Sequence, residues 1–259
     1  MPSTSQHPHT ATEPDAQTAH DAWRSSRRAS VTGPTGNLSL VETSWLNDET
    51  PETIEAAAAR LAAEQPATVT VTTLQRTHLD TGATEVGIRR WDADAPAIRA
   101  FDEIPTFAFD PSWVQAAQFT PVAGSRTVPF EHIRDNGGSR ELVVPGDITF
   151  TRDGTRYTMS AFDDGGTLLL VFGDATNGRD DETGTYGSGR FLFVQRADEG
   201  GFGTAGEVVL DFNRAFVPPC GFSVQYNCPM PPAQNRFPGD VLAGERFVRF
   251  TDGFDVYTL

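Results

Sequence analysis

Between Asp174 and Glu245 the chain concentrates side chains able to do chemistry. Asp174, Asp211 and Glu245 are carboxylates of the kind that serve as general bases. Arg190, Arg214 and Arg236 are guanidiniums, which hold a carboxylate or phosphate bidentately or clamp a developing oxyanion. Asn177, Tyr186, Asn213 and Asn235 add neutral donors and acceptors among them. Two readings stay open for DFNRAF (211–216). In an extended segment Asp211 and Asn213 share one face and Phe212 and Arg214 the other. A polar member turned to the core then needs a partner. That partner is either internal, an Asp–Arg pair fixing the corner, or external, an anion on Arg214 with Arg190 or Arg236. The same choice applies to Asp174–Gly189. This gap of about 16 residues is long enough to be a functional loop. It is either a Gly-rich hairpin whose Asp174 and Asn177 bond their own backbone, or a lid lined by Asp174, Asn177, Tyr186 and Arg190.

Other chemistries find less support. Cys220 and Cys228 are separated by seven residues, which is no standard metal spacing, and without a secretory signal they are expected as free thiols. A nucleophilic Cys or Ser needs a base, and outside the N-terminal region the only histidines are His78 and His132. Gly187-Ser188-Gly189 is not the G-x-S-x-G elbow, and neither a P-loop nor a dinucleotide fingerprint is present. Asp180-Asp181-Glu182 lacks the full spacing of a calcium loop and reads as a solvated acidic run. No cofactor and no metal is therefore expected. Pro219 and Pro232, each following another proline, are candidates for cis peptide bonds.

The elements that must position these groups are mostly strands. Residues 1–14 are polar and read as a disordered tail. Residues 15–30 suit a short helix, anchored by Trp23, with Asp at its start and Arg towards its end. Residues 51–65 suit a second, with Thr50 as N-cap and Pro51 in the first helical position. Its small alanine-rich face places it on a surface. Val69–Thr72 and Glu85–Trp91, around a turn at Asp80-Thr81-Gly82, read as a hairpin. Residues 92–112 read as an ordered connection. Strands are then expected near Trp113–Thr120, Arg126–His132, Leu142–Arg152, Thr155–Phe162, Leu168–Gly173, Arg190–Arg196, Glu207–Phe212 and from Arg246 to the end, with Asp153-Gly154 as a tight hairpin turn. Strands at this spacing without intervening helices predict an antiparallel sheet or barrel-like domain. The fold class is mostly β with one or two short N-terminal helices. The organisation is a tail (1–14), a segment of helices, hairpin and connection (15–112), and an antiparallel β domain (113–259).

Charge narrows the partners. The chain carries a net charge of −15, and all 20 basic residues are Arg. Either G+C-rich codon usage or a surface adapted to high salt gives such an acidic, lysine-free protein. Both make nucleic acid and anionic membranes unfavourable partners. No apolar run reaches membrane-spanning length and the N-terminus is not a signal peptide, so a soluble, cytoplasmic protein is expected.

Several motifs occur in the order of a known family. They are Asp174-Ala-Thr-Asn-Gly178, Thr185-Tyr-Gly-Ser-Gly-Arg-Phe-Leu192, Asp211-Phe-Asn-Arg-Ala-Phe216, Pro218-Pro-Cys220, Cys228-Pro229, Pro231-Pro232, Asn235-Arg236 and Ala243-Gly-Glu245. Ala97-Ile-Arg99 with Phe101, Ile104-Pro105 and Phe107 resembles its middle motif. Trp23-Arg24, Leu38–Val41 and Trp45-Leu46 resemble its N-terminal one. The chain thus resembles the bacterial and archaeal family catalogued as domain of unknown function 1684. Many members of that family carry a longer β insert similar to a forkhead-associated domain between the N-terminal and middle motifs. Here that stretch is short, which sets aside a phosphopeptide site. The resemblance implies a shared site in the C-terminal half and no particular reaction. The residues point to a pocket for a small anionic or polar ligand, rimmed by DATNG, TYGSGR and DFNRAF. The alternatives are a hydrolase or lyase with a carboxylate base and Arg clamp in that pocket, and a protein-interaction module docking through the helix around Trp23.

Overall fold

The computed structural model describes residues 15–46, 49–77, 82–122, 126–131 and 139–258. The tail expected over 1–14, the turn residues Asp80 and Thr81, and both His78 and His132 lie outside the described residues.

Asp15 starts α1 (Ala16–Thr32) by accepting from Thr18 N at 2.8 Å, which satisfies one of the four orphan donors of a helix N-terminus. The residues that α1 buries are His20 and Val31. Trp23, the expected anchor, is only half-buried and stacks on the His20 ring. A 3₁₀ turn at Asn37–Ser39 leads into β1 (Leu40–Leu46). The second helix, α2, begins later than expected, at Ile54, and runs to Ala63. Thr50–Thr53 instead forms a turn, in which Thr50 N donates to Thr53 Oγ1 at 2.8 Å. Ile54 and Ala58 bury against Val86 and Ile88, so α2 covers a small sheet. That sheet joins β1 to the expected hairpin of β2 (Val69–Thr77) and β3 (Thr84–Asp92) in the order β1-β3-β2. The connection after β3 has structure of its own: α3 (Pro96–Ala100) and β4 (Phe101–Glu103).

The larger unit is an antiparallel closed barrel. Its strands are β5 (Val114–Pro121), β8 (Gly146–Arg152), β9 (Thr155–Asp164), β10 (Thr167–Phe172), β11 (Arg190–Arg196) and β12 (Gly206–Asp211), ordered β10-β11-β12-β5-β8-β9. A separate pair, β6 (Thr127–Glu131) and β7 (Ser139–Val143), divides the segment that the sequence suggests is one strand over Leu142–Arg152. The final strand shrinks to β13 (Arg249–Phe250), which pairs with β4. Asp153 and Gly154 both adopt positive φ (51° and 76°), the backbone of a two-residue hairpin turn.

Strand alternation puts Phe119, Ile148, Phe150, Met159, Leu170, Phe172, Leu192 and Leu210 inside the barrel. At the end where β10 stops, Phe150, Phe172, Phe212 and Phe237 pack with ring centroids 5.5–6.1 Å apart, mostly edge to face. Val241 and Ala243 join them from the C-terminal segment. This end of the barrel is filled by aromatic side chains and covered by the chain.

Candidate functional site

Arg190 opens β11 opposite Phe172 and shares the inward face of Leu192 and Val194, so its side chain points into the covered end of the barrel. It is completely buried. Its guanidinium donates to Asp174 Oδ2 (2.8 Å) and to the carbonyls of Val241 (2.7 Å), Ala243 (2.5 Å) and Glu245 (3.2 Å). The Asp174 side chain is also fully buried, and its Oδ1 accepts from Thr176 N, Thr176 Oγ1 and Val241 N. Burial works against the Arg190 charge and the Asp174 carboxylate opposes that effect. This pair latches the loop after β10 and the C-terminal segment onto the barrel.

Asn177 accepts from Asp174 N at 2.8 Å and donates to Thr185 Oγ1 and Tyr186 O, closing the Asp174–Gly189 loop on itself. Tyr186 carries that loop to the next segment. Its hydroxyl contacts Cys220 Sγ and Tyr257 Oη, and burial raises its pKa.

The extended reading of DFNRAF is corrected, because β12 ends at Asp211 and Phe212–Arg214 form a 3₁₀ turn capped by the Asp211 side chain. The turn buries Phe212 and Asn213 together. Asn213 exchanges two hydrogen bonds with the Asp110 backbone (2.9 and 3.0 Å), and its carbonyl meets His20 Nε2 at 3.1 Å. Arg214 stays partly exposed and pairs with Asp211 at 3.2 Å.

Asn235 closes the barrel seam. The β9–β10 ladder runs from Thr167↔Asp164 to Leu169↔Phe162 and then opens. Where Val171 would next meet Ser160, the Asn235 amide enters. It accepts from Ser160 N (2.9 Å) and donates to Ser160 O and Val171 O (both 2.8 Å). A side-chain amide thus stands in for a strand's backbone. Arg236, beside it, is exposed and donates to Pro231 O. The Pro219 and Pro232 bonds are trans, and no cis peptide occurs among the described residues.

Residues 99–246 match the family described as "Protein of unknown function (DUF1684)". The chain belongs to this family. The matched span includes all ten candidate residues and excludes α1, which carries part of the N-terminal motif. No curated protein matches. Among solved structures, the chain is similar to the solution NMR structure of an uncharacterized protein of Haloarcula marismortui. The identity is 28%, over 56% of this chain and 77% of that one, with a TM-score of 0.44.

Of the ten candidate residues, Glu245 is the one that lines the groove beside α1. Its buried carboxylate accepts from Val217 N (2.7 Å) and from Arg27 Nε (2.9 Å) of α1. Burial pushes its pKa up, and the Arg27 and Arg190 charges pull it back. Arg27 also donates to Val217 O and lies against the rings of Phe216 and Phe222. The groove has a volume of about 280 Å³ and runs between α1 and the Glu103–Thr106 segment. Arg24, Arg27 and Arg28 line it, with Asp21, Glu103 and Glu245 among its acidic groups. Glu103 is engaged by Arg249, and Arg28 donates to Asp102 O. Arg24 is exposed and has no hydrogen bond or ion pair among the described residues. Sequence reasoning missed Arg24, Arg27 and His20. The one available signal was their spacing, since His20, Arg24, Arg27 and Val31 recur at helical intervals along one side of α1.

Among the described residues no group of three or more His, Cys, Asp or Glu side chains is placed to hold a metal ion. None of the described helices is long and apolar enough to cross a membrane.

Proposed function

We propose that this protein binds a small anionic or polar molecule in the groove between α1 and Glu103–Thr106. The observation that carries this reading is Arg24: a cation without a partner among the described residues, one helical turn from Arg28 on the wall of a concave site. The Arg27–Glu245 pair supplies a fixed polar floor. The remaining motif residues serve the site indirectly, by holding the segments that carry Glu245 and Thr106. A carboxylate or phosphate is the ligand chemistry that a free guanidinium beside a second one favours.

A thermal-shift experiment on the full chain tests this, with inorganic phosphate and a panel of small carboxylates as probes, at low and at molar salt. A probe at one hundred times its dissociation constant stabilises by about 2.7 kcal/mol. In a chain of this size that raises Tm by about 5–11 °C. The shift should vanish in Arg24→Ala and survive in Arg214→Ala. No shift with any probe, or a shift indifferent to Arg24→Ala, overturns the reading.

A hydrolase or lyase reading uses the same groove, with Glu245 as base and the arginines as clamp. It is supported by the upward push that burial gives this carboxylate. Turnover of a bound probe, abolished by Glu245→Gln in a variant that still binds it, separates the two. If no probe binds and α1 captures a protein instead, the interaction-module reading takes their place.

A further inference from the structure

We propose that Cys220 and Cys228 form a redox-active pair, which hydrogen peroxide closes into an intrachain disulfide. Both are free thiols, 3% and 5% exposed, and both belong to the apolar cluster on the outer face of β10. They lie side by side. The Cys220 N–H donates to Cys228 Sγ at 3.3 Å. Pro219 and Pro229 stiffen the backbone just outside the pair.

The surroundings give the two sulfurs different roles. The single Tyr186 hydroxyl proton is held by Tyr257 Oη at 3.0 Å, whose own proton goes to Cys220 O; when Tyr257 swings out, that proton is left to Cys220 Sγ at 3.6 Å, where a donor favours the thiolate. Cys228, set beside the Cys220 thiol and buried, is held well above the ordinary thiol range. Cys220 is therefore the attacking sulfur and Cys228 the resolving one. The Cys220 thiolate attacks one peroxide oxygen and the O–O bond breaks. Cys220 becomes a sulfenic acid, and the departing hydroxide takes up a proton to become water. Cys228 sulfur then attacks the Cys220 sulfur, the S–O bond breaks, and a second water leaves with the Cys228 proton. Two thiols and one peroxide give one disulfide and two waters.

Access to the pair runs past Tyr257, which is 56% exposed and hydrogen-bonds both Tyr186 Oη (3.0 Å) and Cys220 O (3.3 Å). The loop between the cysteines has a structural consequence of its own. Ser223 Oγ donates to Leu40 O, and Gln225 Oε1 accepts from Thr43 N, so this loop fastens the small sheet to the barrel unit. Closing the disulfide fixes that seam in the oxidised protein.

Arg214 and Arg236 are consecutive arginines in the chain, and the chain has no lysine. Trypsin therefore releases both cysteines in one peptide, 215–236. The full chain is treated with hydrogen peroxide at neutral pH, alkylated and digested. The expected peptide has lost two hydrogens, resists alkylation, and regains two alkylatable thiols after dithiothreitol. Oxygen on Met230 in the same peptide is separable, because dithiothreitol does not remove it. Two alkylated cysteines, or sulfinic and sulfonic products in place of the disulfide, overturn the proposal. In Cys228→Ala the sulfenic acid on Cys220 should persist and be trapped by dimedone, and absence of the adduct overturns the assigned order. Tyr257→Ala should close the disulfide several-fold faster, and an unchanged rate overturns the role of Tyr257 as its cover.

Discussion

Replacing Arg190 with Met tests whether the family motifs act chiefly as latches. Methionine retains much of the apolar stem and removes the guanidinium. The loss is large because nothing left behind can reach water. Asp174 and Arg190 side chains are both 0% exposed, and the guanidinium donates to three carbonyls besides the carboxylate. Breaking a buried pair on one side costs about 3–5 kcal/mol, since the remaining charge is stranded. With three carbonyls unsatisfied as well, the upper half of that range is expected, about 4–5 kcal/mol. At roughly 2–4 °C per kcal/mol, the Tm falls by about 8–20 °C. Urea unfolding followed by tryptophan fluorescence measures it, with Arg179→Met as the reference. Arg179 grips Asp240 with two hydrogen bonds of 2.6 and 2.9 Å, yet both side chains are a third exposed, and its loss should leave the midpoint almost unchanged. Adding Asp174→Asn to Arg190→Met should recover part of the loss by removing the stranded charge. A loss below about 1 kcal/mol in Arg190→Met, or no recovery in the double variant, would refute the argument that burial controls the cost.

Two further outcomes follow from residues at the edges of this latch. Asn235→Ala removes three hydrogen bonds from the barrel seam and leaves Ser160 N, Ser160 O and Val171 O without their partner, so it should cost about 3 kcal/mol; hydrogen exchange at Ser160 should speed up before that of the β8–β9 hairpin. His20 is 3% exposed, its Nε2 meets Asn213 O, and its Nδ1 has no hydrogen bond. Burial lowers its pKa, Arg24 lowers it further, and Asn213 O, Asp21 and Asp211 partly offset this. Its folded pKa thus lies below the ordinary value of about 6.5. The unfolded chain takes up the proton first, so stability is retained above that value and falls as pH drops from it towards the folded pKa. Denaturation between pH 7 and 5 should show this loss in the wild type and a smaller one in His20→Gln.

The β architecture was legible because its signals are local. Asp153-Gly154 at a hairpin, alternation along β2 and β3, and strand runs without helices between them all constrain a few neighbouring residues. The errors lie where a distant residue sets the outcome. Thr50 and Pro51 read as a helix start, but the Thr50–Thr53 turn delays α2 until Ile54 can bury against Val86 and Ile88. The face-sharing expected if DFNRAF were extended fails beyond Asp211, where Asn213 turns in to meet the Asp110 backbone, 103 residues away. The internal partners of the polar candidates were beyond sequence reasoning. The burial of Arg190 beside Asp174 turns on Val241, Ala243 and Glu245, whose carbonyls carry no side-chain signature. Arg24 and Arg27 were passed over because a surface helix with several arginines looks like any solvated face.

The placement of these residues constrains where a ligand can sit. A barrel of eight strands can hold a small molecule inside, but this one has six, and its covered end is filled by phenylalanines. Asn235, Asp174, Asn177 and the two terminal nitrogens of Arg190 are engaged by the protein itself, so a ligand reaching them must first displace internal bonds. The groove beside α1 imposes no such cost. Arg24 pairs with none of the described residues, and the Arg27–Glu245 pair is already oriented. Three motif segments converge on that floor: Ala243-Gly-Glu245 through its carboxylate, Asp211–Phe216 through the backbone of the adjoining Val217, and Ile104-Pro105 through the adjoining Thr106, bridged to Glu245. The motif segments thus form one wall of the groove, and α1, outside the matched span, forms the other. Moving α1 should therefore alter ligand binding while the barrel stays folded. The His20 contact with Asn213, at the start of that helix, offers the means of doing so without touching any residue that lines the groove.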